Sequence, residues 1–255
     1  IQNNYNNVST SLTKNFFSNK EIQKFYESIG IDYTYDFFNF EIIWSFQKLF
    51  FPNSLSTIVN NFLKSKHRFL IIPLGIEINI GSHANILIYD KKFNEIERFE
   101  PNGNNISNNY FYYNYNLLDI LLENKFIDII PNCKYIRPND FLPNIGFQQF
   151  ESLLKKKHFK IGDPGGFCAT WSIWYADMRI KYSDIPRNIL VLNLITKFRE
   201  KNISFKNFIR NYTSNIINIR DSLLNKINID INDWNNQKYT YDSFLTLVKH
   251  IQKSI

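Results

Sequence analysis

One strand pair that turns back on itself constrains the fold of this chain more than any other feature. Residues 83–90 and 93–100 carry the apolar and aromatic side chains typical of strands, and a polar pair at 91–92 separates them. This pattern predicts an antiparallel hairpin. If the turn is centred between the two lysines, His83 lies directly opposite Glu100, with Cβ atoms about 5 Å apart. The hairpin therefore predicts an imidazole beside a carboxylate, which would hold the ring in one tautomer.

A cysteine follows a glycine-rich segment and precedes a predicted helix. Cys168 comes after the segment 163–167 (Asp-Pro-Gly-Gly-Phe), and the sequence from 167 to about 181 fits a largely buried helix. A thiol in the first turn of a helix meets free backbone N–H groups and the positive end of the dipole, and both lower its pKa. The alternative is a small buried cysteine in a core helix. The glycine pair favours the first interpretation because glycine permits close backbone approach.

These three residues are the parts of a cysteine nucleophile site, with Cys168 as nucleophile, His83 as base and Glu100 as the group that orients the base. Taken singly, each has a simpler explanation. A lone histidine is more often structural, and Glu100 could be one solvated acid among its neighbours. Cys133 lies in a short predicted strand without a comparable setting, so we expect it in the core.

Composition excludes several classes of protein. The chain has 255 residues, 44% of them apolar, which is enough for one large domain or a domain with an added lobe. Lysine and arginine exceed the acids by 30 to 23, but no long basic stripe or recognition motif indicates nucleic-acid binding. No run is apolar enough to span a bilayer, so we expect no membrane association. Two cysteines indicate a reducing compartment, and the four scattered histidines indicate no metal site or cofactor.

The pattern along the chain predicts an α+β fold with a central mixed or antiparallel sheet flanked by helices. We expect residues 1–66 to form an N-terminal helical lobe or arm, and residues 67–255 to form the main domain. The lobe has three predicted helices, which are one after Ser18, one over Asp36–Phe51 and one from Ser54 to Leu63. Predicted strands outside the hairpin are 68–74, 77–80, 126–130 and 134–136.

The order of histidine, acid and cysteine resembles the clan of cysteine proteases that contains adenovirus protease and the SUMO- and ubiquitin-like-specific proteases. Residues 97–103 (Glu-Arg-Phe-Glu-Pro-Asn-Gly) resemble the strand, acid and turn of that family, and Gly166-Phe167 resemble its approach to the nucleophile. The match covers roughly 68–185 and implies a papain-like fold of the adenovirus protease type. The glycine-rich segment before Cys168 also resembles giant-virus proteins.

Two positions depart from the family pattern. The family places a glutamine shortly before the cysteine, where it donates to the oxyanion, but Ile161 and Gly162 stand there. The candidates are Gln148 and Gln149, which would require an insertion before the cysteine, and we favour Gln148. A tryptophan often follows the family's histidine, whereas Ala84 follows it here.

The resemblance implies a cysteine peptidase that cleaves after the tail of ubiquitin or a ubiquitin-like modifier. It would be a monomer without a cofactor, located in a reducing compartment such as the host cytoplasm or a virion. Cys168 would attack the acyl carbon, His83 would transfer the proton, Glu100 would orient His83, and Gln148 would hold the oxyanion. Three alternatives remain open, namely a viral polyprotein-processing protease, an effector-type acetyltransferase and a binding module without turnover.

Overall fold

The computed structural model describes residues 8–10, 42–78, 81–104, 113–153, 166–235, 238 and 240–253. The strands in this part of the chain are β1 (Val8–Thr10), β2 (Ile42–Ser45), β3 (Lys48–Phe50), β4 (Phe69–Ile78), β5 (Gly81–Asp90), β6 (Glu95–Phe99) and β7 (Lys134–Ile136). The helices are α1 (Leu55–Lys64), α2 (Tyr115–Ile129), α3 (Phe147–Leu153), α4 (Cys168–Lys181), α5 (Arg187–Glu200), α6 (Phe205–Lys226), α7 (Ile231–Asn235) and α8 (Tyr241–Lys253). The predicted combination of a mixed sheet with flanking helices is confirmed.

The described strands form one mixed sheet of seven strands. Its order is β3-β2-β4-β5-β6-β7, and β1 also pairs with β4. Strands β4 and β6 each pair antiparallel with β5, whereas β1 and β2 run parallel to β4, and β7 runs parallel to β6. Strand β5 therefore has a neighbour on both sides, and this central strand carries His83.

Alternate side chains of the central strands fill two separate cores, because successive side chains of a strand point to opposite faces. On one face, Ile86 and Ile88 belong to a core completed by aromatic residues of α4, α5 and α6. On the other face, Leu87 and Tyr89 belong to a core completed by residues of α1 and α2. The sheet is thus covered on both sides, and the polar residues His83, Asn85, Glu97 and Arg98 of its central strands are buried with it.

The hairpin between β5 and β6 differs in register from the prediction. Asp90 pairs with Glu95, so the pairing is shifted by two residues from a turn centred between the lysines. The chain reverses through four residues, and Asn94, with a φ of 53°, occupies the left-handed conformation that asparagine tolerates well. A shift of two residues leaves the alternation of side chains unchanged. His83 and Glu100 can therefore still meet, although Glu100 follows the end of β6.

The predicted helix over Asp36–Phe51 is wrong in the part of it that the structure describes. Residues 42–50 form the hairpin of β2 and β3, and the turn between them places Phe46 and Gln47 at φ values of 48° and 58°. All four side chains of β2 are buried. A short, continuously buried apolar run has the same pattern in a helix and in a strand. Residues 42–45 form a strand because they pair with β4, and the residues next to them in the sequence do not indicate this pairing.

The predicted strand at 126–130 is also wrong, because helix α2 continues through Ile129 and buries Phe126 in the core beside the sheet. The predicted helix after Ser54, the strand at 134–136 and the buried helix that begins near Cys168 are confirmed. The strands predicted at 68–74 and 77–80 correspond to β4, which is continuous through residue 78. The helix predicted after Ser18 lies outside the described residues.

The proposed division of the chain at residue 66 stays a prediction. Strands β1, β2 and β3 precede that residue, yet they pair in the same sheet as the strands that follow it. The assignment to the papain-like type of fold also stays a prediction. Among the described helices, none combines the length and the apolar character that crossing a membrane requires.

Candidate thiolate site

His83 and Glu100 form an ion pair inside the protein. The distance from His83 Nε2 to Glu100 Oε1 is 2.7 Å, and the two side chains are 1% and 0% exposed. A carboxylate can only accept a hydrogen bond, so Nε2 carries the proton and donates it. The predicted contact between these residues is therefore confirmed, and Nδ1 is the ring nitrogen left for another partner.

Both oxygens of Glu100 accept further hydrogen bonds. The backbone N–H of Asn102 donates to Oε1 at 2.9 Å. The side-chain amide of Asn85 and the hydroxyl of Tyr113 donate to Oε2 at 3.0 and 2.7 Å. A buried carboxylate is costly unless donors surround it, and here four of them do, counting His83. Glu100 is consequently held in one orientation and in its ionised form.

Cys168 lies at the first residue of α4 and hydrogen-bonds to the ring of His83. Burial alone would raise the pKa of its thiol. The hydrogen bond and the charge of His83, together with backbone N–H groups of Ala84 and Ala169, outweigh burial and lower the pKa below its ordinary value of 9.0. Ala84 follows His83 on β5, so one strand supplies both the base and a donor to the sulfur.

The pKa values of His83 and Glu100 shift in opposite directions, because each group stabilises the charged form of the other. Burial alone would lower the pKa of His83, but the charge of Glu100 and hydrogen bonds to Cys168 and Glu100 raise it to about 10. Burial would likewise raise the pKa of Glu100, but the charge and hydrogen bond of His83, the charge of Arg98 and the Asn102 N–H lower it to about 2. The arrangement therefore favours an imidazolium between two anions.

Gln148 lies near the start of the cysteine helix. Phe147 packs against Trp171 with ring centroids 5.5 Å apart, which anchors α3 to α4. A Cβ placed on Gly166 would be 3.0 Å from Nε2 of Gln148. Its Oε1 is buried without a hydrogen-bond partner among the described residues. The structure thus brings Gln148 close to the residues that precede Cys168, while its role as a donor to an oxyanion stays a prediction.

Sequence reasoning missed the polar side chains that surround Glu100. Asn85 follows His83 by two residues on the same strand, and this spacing places both on one face. That signal was available. Arg98 precedes Glu100 by two residues and had the same signal. Tyr113 had none, because its contact with Glu100 depends on how the residues just before α2 pack on the sheet.

The second cysteine has the opposite environment. Cys133 is buried, as predicted, in the core that includes α1 and α2. Burial and the nearby charge of Glu95 raise the pKa of its thiol to about 11, and the backbone N–H of Ile96 offsets them only in part. The two thiols of the chain therefore differ in both exposure and acidity.

Comparison with known proteins gives one clear relationship. No protein-family model matches the chain, and no solved structure matches it. A relative from Acanthamoeba polyphaga mimivirus is 41% identical over 244 residues, which make up 91% of this chain and 31% of the relative. That protein carries the provisional name of an ankyrin repeat protein. The chain thus spans about a third of the length of this relative.

This relative overturns the assignment to the clan of adenovirus protease and the ubiquitin-like-specific proteases. Its name indicates a repeat protein and not a peptidase, so the predicted activity of a cysteine peptidase acting on ubiquitin-like tails is wrong. The same finding counts against the two enzymatic alternatives. The viral origin of the relative does agree with the resemblance to giant-virus proteins.

The name of the relative describes a longer protein. Ankyrin repeats stack pairs of helices with a period of about 33 residues. The described part of this chain instead forms a mixed sheet with helices on both faces. The part of the relative that aligns with this chain is only about a third of it, so its name does not determine the fold of that part.

Proposed function

We propose that this chain carries a reactive thiolate at Cys168. The observation that supports this proposal is a single histidine ring bound on one side to the buried carboxylate of Glu100 and on the other to a thiol. The chemistry is nucleophilic attack by the sulfur on an electrophilic carbon, in which a carbon–sulfur bond forms, the bond from that carbon to its leaving group breaks, and the leaving group departs with the bonding electrons. The proposal concerns the reactivity of the thiol and does not include peptide cleavage.

The proton that leaves the sulfur has a defined destination. Nε2 of His83 donates to Glu100, so Nδ1 is the nitrogen that takes the thiol proton. The products of this transfer are a thiolate and an imidazolium, and the carboxylate stabilises the imidazolium. A thiolate is far more nucleophilic than a thiol, and helix α4 adds free N–H groups at its first turn.

Selective alkylation tests the proposal. Iodoacetamide should modify Cys168 at pH values well below 9.0, the ordinary thiol pKa, while Cys133 remains unmodified. Peptide mass spectrometry distinguishes the two sites within the same molecule, so Cys133 serves as an internal control. His83→Gln should slow the reaction at neutral pH by about tenfold or more, since a one-unit rise in thiol pKa removes about nine-tenths of the thiolate. Equal rates in the two proteins would contradict the proposal.

Gln148 has a proposed supporting role at this site. Its amide nitrogen lies beside Gly166, two residues before the thiol, where it could donate to an oxygen of a bound electrophile. Gln149, its neighbour on α3, is the matched control. Replacing each by alanine should slow modification by an amide-containing electrophile only for Gln148.

A second candidate function is protein binding. The name of the mimivirus relative favours it, because repeat arrays such as ankyrin form extended binding surfaces. The predicted partner, ubiquitin or a ubiquitin-like modifier, belongs to this candidate as a proposal. Calorimetric titration of the Cys168→Ala protein with these modifiers separates the two candidates. Reversible binding that survives the substitution supports a binding module. The absence of binding, together with rapid alkylation of Cys168 in the native chain, supports the proposed reactive thiolate.

The two free thiols also support a proposed location in a reducing compartment. A thiolate that must remain reactive needs a reduced sulfur, and a host cytoplasm or a virion assembled there would keep it reduced. Monomeric state and the lack of nucleic-acid, membrane and cofactor requirements remain predictions.

A further inference from the structure

We propose that Arg98 fixes the direction of the hydrogen bonds that Glu100 accepts, and that Tyr113 is a positioning residue, which affects the thiolate of Cys168 through its hydrogen bond to Glu100. The inference deepens the proposed thiolate function and rests on it. Neither residue is among the groups that donate to the sulfur, which are His83, Ala84 and Ala169. Both act through Glu100, and through Glu100 on His83.

Arg98 is itself held rigidly. Its side chain is 1% exposed, and it donates to Asp119 through Nε at 2.7 Å and through Nη2 at 2.8 Å. This two-point contact fixes the plane of the guanidinium. The hydroxyl of Tyr135 donates to Asp119 at 2.7 Å and completes the support. One guanidinium nitrogen, Nη1, remains directed towards the surroundings of Glu100.

The orientation of the Asn85 amide follows from the chemistry of arginine. Nη1 of Arg98 lies 2.6 Å from Oδ1 of Asn85. Because a guanidinium has donors and no acceptor, the oxygen of the amide must face it. The Asn85 nitrogen must then face Glu100, to which it donates at 3.0 Å. Arginine thus prevents the amide from presenting its oxygen to the carboxylate.

The same argument orients the hydroxyl of Tyr113. Nη1 of Arg98 also donates to this oxygen at 3.2 Å. The hydroxyl therefore accepts from Arg98, and its own proton points to Oε2 of Glu100 at 2.7 Å. Burial and the nearby charge of Glu100 raise the pKa of Tyr113 well above its ordinary value of 10.0, so the phenol keeps this proton. Tyr113 is consequently a permanent donor to the carboxylate.

The charges around this carboxylate are few and identifiable. Those described are the imidazole of His83, the guanidinium of Arg98 at 3.9 Å, the carboxylate of Asp119 beyond it, the phenols of Tyr113 and Tyr135, and the thiol of Cys168 beyond the imidazole. Removing the Tyr113 donor loosens the hold on Glu100 in its position beside His83. Since Glu100 raises the pKa of His83, and His83 lowers the pKa of Cys168, the pKa of the thiol should then rise.

The test compares two deletions of the same chemical group. Tyr113→Phe removes a buried hydroxyl that donates to a buried glutamate, and Tyr175→Phe does the same for Glu97 at 2.7 Å on the opposite face of the sheet. The pH dependence of Cys168 alkylation is measured for both variants and for the native chain. We expect Tyr113→Phe to move the midpoint upward by about one pH unit, or about tenfold in rate below the midpoint. Tyr175→Phe should leave the midpoint unchanged.

A second measurement separates positioning from folding. Nitrogen NMR of the imidazole reports the pKa of His83 directly, and circular dichroism identifies variants that fail to fold. If Tyr113→Phe is not folded, Asp119→Asn, which weakens the hold on Arg98 without touching Glu100, should move the same midpoint in the same direction. Identical midpoints in Tyr113→Phe and the native chain, or equal shifts in both phenylalanine variants, would overturn the inference. A native thiol without a depressed midpoint would instead refute the proposed function.

Discussion

Gly103 and Gly146 lie backbone against backbone, so closely that neither position has room for a side chain. A Cβ on Gly103 would be 2.5 Å from the backbone nitrogen of Gly146, and one on Gly146 would collide with the backbone of Gly103. Nearby, the N–H of Gln148 donates to the carbonyl of Pro101 at 3.0 Å. The contact therefore joins the turn that follows Glu100 to the helix that carries Gln148.

Gly146→Ala should lower the free energy of unfolding by about 3 kcal/mol, the upper part of the usual range for an overpacked interior, because the added methyl group meets backbone. Urea denaturation measures this loss. Gly166→Ala is the matched control, since its Cβ would meet only the end of the Gln148 side chain at 3.0 Å, and that side chain can rotate. We expect a cost below about 1 kcal/mol there. Equal losses in the two variants would show that the glycine contact is not tight.

Glu97 should be one of the most costly residues to neutralise. It is 2% exposed and accepts from Arg179 at 3.2 Å, from Arg187 at 2.7 Å and from the Tyr175 hydroxyl. Glu97→Gln leaves buried arginine charge without its partner, a change that typically costs about 3–5 kcal/mol. Thermal and urea unfolding provide the measurement. Glu95→Gln is the control, because Glu95 pairs with Arg187 in a more exposed position and should cost less.

Proximity of the site residues could be predicted because it depends on the alternation of a strand. His83 and Glu100 meet even though the register of their hairpin is shifted by two residues, since an even shift preserves the faces. The helix that begins at Cys168 was predictable from the glycine segment before it. Features that depend on local chemistry were therefore accessible from sequence.

Features that depend on tertiary pairing were not accessible. Residues 42–50 have apolar spacing that fits a helix, and only their pairing with β4 makes them a hairpin. The guanidinium of Arg98 on strand β6 donates a hydrogen bond to Asp119 on helix α2. Neither residue type nor spacing indicated that contact. The hydrogen-bond directions around Glu100 follow from it and were equally hidden.

Acid should remove the stabilisation that Glu100 provides. The pKa of Glu100 is about 2 in the folded protein and 4.5 ordinarily. Because the folded value is the lower one, the stabilisation is complete above about pH 4.5 and is lost as the pH falls through about 2. The difference in Tm between the native chain and Glu100→Gln should therefore be constant between about pH 4.5 and 6.5, where both partners are charged, and shrink below pH 4.5. A difference that grew on acidification would contradict the buried ion pair.

Alkali should remove the stabilisation that His83 provides, with the opposite sign. The pKa of His83 is about 10 in the folded protein and 6.5 ordinarily. Because the folded value is the higher one, the stabilisation is complete below about pH 6.5 and is lost as the pH rises through about 10. The Tm difference between the native chain and His83→Gln should shrink over that interval. Because His83 and Glu100 stabilise the same pair, the double variant should lose less than the two single losses together. Additive losses across the whole pH range would mean that the two residues act independently.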